Sequence, residues 1–269
     1  MDSSLAKGFK RQAFQQLENE LDTIISNWIK VSKASKVTKN ISHWNRYLEK
    51  LSSVFKKNLI LKQLGGTTRK PYVALSVLTA GERNYNQWQE KCFSSSQILI
   101  NFDPWYLEVL PAGFNLSEHT IHRIFQRVFD NSNNYNLKDI GLREVVNELI
   151  FCPLWSSYWM QEAIKRFHFS DAEFIKPVIP TPSGLLLGEI NRNHTGKVEI
   201  RTFVSDNLLS TRQAELKRQM LEVDSIFKES SLNFFPILSP LDFKSIETES
   251  LRMSKAVTFA DELLSSSFP

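Results

Sequence analysis

Near the N-terminus, apolar residues recur three or four apart: Phe9, Ala13, Leu17, Leu21, Ile24, Ile25 and Trp28. That spacing predicts an amphipathic helix over 5–31, with one Gly near its start. Trp44, Tyr47, Leu48, Leu51, Val54 and Phe55 repeat the pattern and predict a second helix over 42–57. The stretch between them is small, polar and basic, as a connecting loop is, so the two helices can pair as a hairpin. Gly65-Gly66-Thr67-Thr68 then reads as a break. It lacks the full spacing and the lysine of a phosphate-binding loop.

Beyond the break the period changes. Residues 72–78 are β-branched and aromatic and predict a strand, 82–93 with Tyr85 and Trp88 predict a helix, and 97–102 and 105–110 predict two more strands. Asp103-Pro104 is a turn signal, and Pro111-Ala112-Gly113 leads into the most fully specified segment, 114–129. There Ser117 reads as an N-cap, or Asn115 in an overlapping reading, with Glu118 in the first turn and Leu116 placed to staple Ile121. Ile121, Ile124, Phe125, Val128 and Phe129 form the buried stripe. At about 100° per residue, His119, Arg123 and Gln126 fall in one arc opposite it, flanked by His122 and Arg127.

Further along, 137–150 predicts a helix, Pro153 interrupts, and Trp155, Tyr158, Trp159 and Ile164 suggest a further short helix whose aromatic density belongs to a core. Residues 185–190 and 197–204 predict a β-hairpin. In its second strand Val198, Ile200, Thr202 and Val204 alternate with Lys197, Glu199, Arg201 and Phe203. Ser210 and Gln213 form a capping box for a helix with Leu216, Met220, Val223 and Phe227 inside. The remainder is irregular, with one late helix near 250–264. The expected class is α+β: an N-terminal helical hairpin followed by an antiparallel sheet packed with helices. It divides into a basic helical accessory region 1–66, a core 67–230 and a tail 231–269.

Composition adds little to that picture, and charge adds more. The chain has 269 residues, 42% hydrophobic and 23% charged, as in an ordinary globular protein of one large or two modest domains. No apolar run approaches the roughly 18 residues of a membrane span, and no h-region of a signal peptide is present, so a cytoplasmic, membrane-free protein is expected. Two cysteines, Cys92 and Cys152, are too few for a disulfide framework or a metal motif and read as buried thiols. No metal or other cofactor is expected. Residues 1–70 hold 14 Lys plus Arg against 5 Asp plus Glu, about +9, so the rest carries about −5 of the net +4. Lys30, Lys33, Lys36 and Lys39 recur every third residue, and Lys56 and Lys57 follow. Such a row suits a phosphate backbone, as it suits a solvated surface.

The chemistry-bearing stretches are SEHTIHRIFQR, from Ser117 to Arg127, and VEIRTFVSD, from Val198 to Asp206. The first resembles the Ser-x-His-Ala-x-x-Arg-x-x-x-Arg helix of some members of the barnase, EndoU, colicin and RelE superfamily of metal-independent ribonucleases, with Thr120 in the place of the alanine. The second is similar to the strand that supplies Arg and a hydroxyl residue in that superfamily. The resemblance implies an endoribonuclease of toxin or mobile-element defence type. His119 would carry the proton, Arg123 and Arg201 would stabilise the phosphorane, and Thr202 would bind a phosphate oxygen. Arg127 joins the lysines as a nucleic-acid contact. On a regular strand Arg201 and Thr202 point to opposite faces, so both serve one site only at a bulge or strand end. Two other classes use the same residues. One is a non-enzymatic nucleic-acid-binding accessory protein; the other is a protein-interaction subunit with an antitoxin or complex partner.

Overall fold

The computed structural model describes residues 2–34, 59–67, 70–85, 88–102, 105–110, 113–129, 141–194 and 197–229. The chain begins with helix α1 (Ser3–Ala34). The helix expected over 42–57, the late helix near 250–264 and the tail from 231 lie outside the described residues, as do Lys36, Lys39, Lys56 and Lys57. Strands β1 (Leu59–Thr67), β2 (Lys70–Tyr85), β3 (Trp88–Phe102) and β4 (Trp105–Leu110) then form an antiparallel meander.

Two expectations change here. Gly65, Gly66 and Thr67 are not a break but the end of β1, paired with Tyr72, Pro71 and Lys70 after a register shift past Gln63. The boundary drawn after residue 66 therefore falls inside a strand. Where a helix is expected over 82–93, the described residues 82–85 and 88–93 are strand, in a ladder paired from Tyr72↔Asn101 to Tyr85↔Trp88. Tyr85 and Trp88, three apart, are partners in that ladder, a spacing that mimics one helical turn.

Strand β5 (Gly113–Ser117) pairs with the first half of β3, Ser94↔Asn115 to Cys92↔Ser117, while β4 pairs with the second half. On its other side β5 runs parallel to β9 (Lys197–Ser205), so an otherwise antiparallel sheet is mixed. β9 forms the expected hairpin with β8 (Gly184–Asn191), and β6 (Phe174–Ile175) and β7 (Val178–Thr181) pair with β8.

Helix α2 (Glu118–Val128) follows β5 directly, with α3 (Leu142–Glu148), α4 (Cys152–Phe169) and α5 (Thr211–Glu229) completing the described helices. The α+β class holds. Pro153 does not interrupt a helix; it occupies the first turn of the 18-residue α4, where its missing N–H costs nothing. The Ser210–Gln213 box at α5 closes in both directions, Gln213 N to Ser210 Oγ at 3.3 Å and Ser210 N to Gln213 Oε1 at 2.9 Å.

The core lies between one face of the sheet and the helices. Trp155 and Trp159 of α4, Phe93, Phe114, Phe125 and Phe203 are fully buried together. Trp159 Nε1 donates to Val178 O at 2.7 Å, which satisfies its one polar atom. Helix α1 belongs to the same core: Phe14 meets Phe93 edge-on at 4.6 Å and Phe9 lies 6.0 Å from Phe125.

Candidate nucleic-acid interface

Helix α2 is positioned by its first turn. Ser117 Oγ accepts from Thr120 N at 3.0 Å, the cap that the sequence predicts, and donates to Arg201 O at 3.2 Å. Thr120 Oγ1 donates to Ile200 O at 3.2 Å, and the Arg127 guanidinium donates to Phe203 O. Past Leu116↔Ile200 the parallel partner of β9 ends, and α2 takes over that strand edge by offering side-chain donors to its carbonyls. The Glu90 carboxylate accepts the Glu118 N–H at 3.1 Å, placing negative charge at the positive helix end.

The outer arc of α2 forms as the periodicity requires. Arg123 Nε donates to His119 Nε2 at 3.4 Å and Nη1 to Gln126 Oε1 at 2.7 Å. His119 is therefore an acceptor at Nε2 in this arrangement. Helix α1 runs beside this arc. Ser3 Oγ lies 3.4 Å from His122 Nε2, and Lys10 donates to Glu118. The pKa of His122 is lowered by burial first, then by Lys10, Arg123, His119 and Lys7. That of His119 is lowered by burial, then by Arg123 and Arg127, with Glu90 opposing and Lys10 adding. Two imidazoles thus sit within one field of lysines and arginines drawn from two helices. Both are held toward the neutral form.

Arg201 and Thr202 belong to a bulge. Leu187 pairs with Thr202 and Gly188 with Ile200, which leaves Arg201 as an extra residue. Before it Val198 and Ile200 are buried; after it Phe203 and Ser205 are. The regular alternation expected from Lys197 to Val204 therefore breaks at Arg201, because one inserted residue shifts the phase of a period-two pattern. The bulge brings Arg201 and Thr202 toward the same face, away from the helices. Arg201 Nη2 turns to Glu189 at 3.9 Å. The structure thus joins His119 to Arg123, and Arg201 to Thr202. The two pairs look to different neighbours: cations of α1 and α2 for the first, Glu189 of β8 for the second.

Arg127 is half-buried and bound to a backbone carbonyl, an anchor for α2 more than an open cation. Lys30 and Lys33 lie in the second half of α1. Sequence reasoning passed over Lys7 and Lys10. Their signal was faint, a pair three apart on the polar side of α1, and gains meaning only once α1 is known to lie against α2.

Among the described residues no cluster of three or more His, Cys, Asp or Glu could hold a metal ion. No described helix is long and apolar enough to cross a membrane. No family model, curated protein or solved structure matches this chain.

Proposed function

We propose that this chain binds RNA, with the phosphodiester backbone lying along the α1–α2 face. The observation that supports this reading is the convergence of Lys7, Lys10, His119, His122 and Arg123 from two helices far apart in sequence onto one surface. A row of cations binds a polyanion by releasing its counterions, and that signature is measurable. Three phosphate contacts on a single strand give a log–log salt slope of about −2, so affinity drops about 20-fold between 50 and 200 mM salt. Fluorescence anisotropy with a labelled single-stranded RNA reads this directly. A Lys7→Glu/Arg123→Glu variant is expected to lower the slope by about 1.4. Salt-independent binding, or a variant equal to wild type, would discard the reading.

Metal-independent cleavage of that RNA is the second reading, favoured by His119. A neutral imidazole 3.4 Å from a guanidinium suits removal of the 2′-hydroxyl proton, while Arg123 meets the charge that develops on phosphorus. In this reading His119 and Arg123 act without Arg201 and Thr202, since Arg201 turns to Glu189 of β8 instead. Incubation with total RNA in excess EDTA, beside His119→Ala, tests it. Cleavage that survives EDTA and disappears in the variant supports it; equal cleavage by both proteins, or none by wild type, ends it.

A further inference from the structure

His119 and His122 share the α1–α2 face, and the contact His119 makes depends on its proton. Its Nε2 accepts the Arg123 Nε–H at 3.4 Å, while Arg123 Nη1 donates to Gln126 Oε1 at 2.7 Å. The first of these bonds exists only for a neutral ring, because a protonated Nε2 has no lone pair to offer. His122 is half-buried, and its Nε2 lies 3.4 Å from Ser3 Oγ in the first turn of α1.

The charges around the two rings come from three elements. Lys7 and Lys10 reach them from α1, Arg123 and Arg127 from α2, and Glu90 from β3. Lys10 is offset by Glu118, Arg127 is turned to the Phe203 carbonyl, and Glu90 holds the Glu118 N–H. At the margins Asp2 accepts from Ser4 N at 3.0 Å and Lys91 pairs with Glu18 at 2.7 Å. Strand β9 meets α2 through the carbonyls of Ile200, Arg201 and Phe203. Lys7 and Arg123, the pair replaced in the salt test, carry the charge that a phosphate meets; two imidazolium ions double it.

We propose that His119 and His122 are a proton-operated control on RNA affinity: the face holds the phosphodiester backbone weakly when both rings are neutral and tightly when both are charged. The inference rests on the RNA-binding reading and concerns the regulation of that same face. Without RNA the rings are neutral near pH 7.5, since burial first and then the neighbouring cations disfavour their charged forms. A phosphodiester laid beside them brings in an opposite charge and favours imidazolium. Protonation of His119 also frees Arg123 Nε, so one proton gives the face two more donors for phosphate. By linkage, each proton that binding draws in raises affinity by up to about tenfold for every pH unit of fall.

The test uses the full chain and a rhodamine-labelled oligomer of 2′-O-methyluridine. That strand has no 2′-hydroxyl to start cleavage and no base that titrates between pH 5 and 7.5. Anisotropy at constant ionic strength is expected to give an affinity at least about tenfold higher at pH 5 than at pH 7.5. The log–log salt slope is expected to steepen by up to about 1.4 over the same range. Calorimetry at pH 6 in two buffers of different ionisation enthalpy is expected to show net proton uptake on binding. His119→Gln/His122→Gln is expected to lose both the rise and the uptake, with its fold checked by circular dichroism at each pH. If that variant does not fold, NMR titration of wild type carries the test: the His119 and His122 resonances should titrate at higher pH in the complex than in the free chain. Binding that does not strengthen at pH 5, binding without proton uptake, or a rise of wild-type size in the double variant would overturn this proposal and leave the RNA reading standing. Absence of binding at every pH would end both.

Discussion

Replacing Ser117 by alanine removes more than a helix cap. Its hydroxyl is buried, 3% exposed, and stands where α2 meets β9. It accepts from Thr120 N at 3.0 Å, donates to Arg201 O at 3.2 Å and lies 2.7 Å from Thr120 Oγ1, which itself donates to Ile200 O. The two hydroxyl protons serve the two strand carbonyls, and the contact between the two oxygens can only share one of those protons. Loss of an N-cap costs about 1 kcal/mol, and a net hydrogen bond about another. Because Thr120 N is left buried without an acceptor, the expected total is about 2–3 kcal/mol. For a chain of this size that is a fall in Tm of roughly 6 °C.

Urea unfolding of the full chain is the assay, with Ser117→Thr and Ser117→Asp alongside. Threonine keeps both roles and is expected to stay within about 1 kcal/mol of wild type. Aspartate separates the two explanations. On an exposed helix it caps as well as serine, but here it cannot donate and would press a carboxylate against the Arg201 carbonyl. Ser117→Asp is therefore expected to be at least as unstable as Ser117→Ala. An aspartate variant as stable as wild type would refute the reasoning, because Ser117 would then be a solvated cap and α2 would not close the edge of β9. A cycle with Thr120→Val should return a coupling of about 1 kcal/mol.

Three further outcomes are expected. His119 and His122 have folded pKa values below 6.5, from burial and then neighbouring cations, so the unfolded chain takes up protons first. Their contribution is present above pH 6.5 and lost as pH falls through the folded values; melting curves from pH 7.5 to 5 should show a slope that His119→Gln/His122→Gln reduces, and an unchanged slope would count against the cluster. Gly184→Ala would bring a Cβ onto the Val204 carbonyl oxygen and 2.9 Å from Ser205 Cα; a loss of about 3 kcal/mol in urea is expected, and a neutral result would disprove the β8–β9 register. Cys92 and Cys152 are buried, and burial beside Glu148 pushes the Cys152 thiol well up, so both should resist an aromatic disulfide reagent until urea unfolds the chain.

Several elements were legible because their causes are local. The Ser117 cap, the His119–Arg123–Gln126 arc, the Ser210–Gln213 box and the β8–β9 hairpin each depend on residues within a turn or two of one another. The misread segments fail for the opposite reason. Residues 82–85 and 88–93 become strand because a long antiparallel ladder outweighs a single helical coincidence between Tyr85 and Trp88. Gly65 and Gly66, poor in any strand by propensity, stay in β1 because β2 pairs with them.

What the sequence alone determined, then, is the periodic content: which stretches bury a stripe, where α2 and α5 start, and that helices and strands share one α+β fold. Tertiary structure decided which surfaces meet. The parallel pairing of β5 with β9, and the bond of Ser117 to Arg201 across 84 residues, join segments whose sequences say nothing of each other. So does the docking of α1 on α2 that gathers Lys7 and Lys10 beside two histidines. The bulge at Arg201 is of the same kind. Propensity and capping act over about four residues and can be read along the chain, whereas register and packing follow from burying two distant apolar faces together.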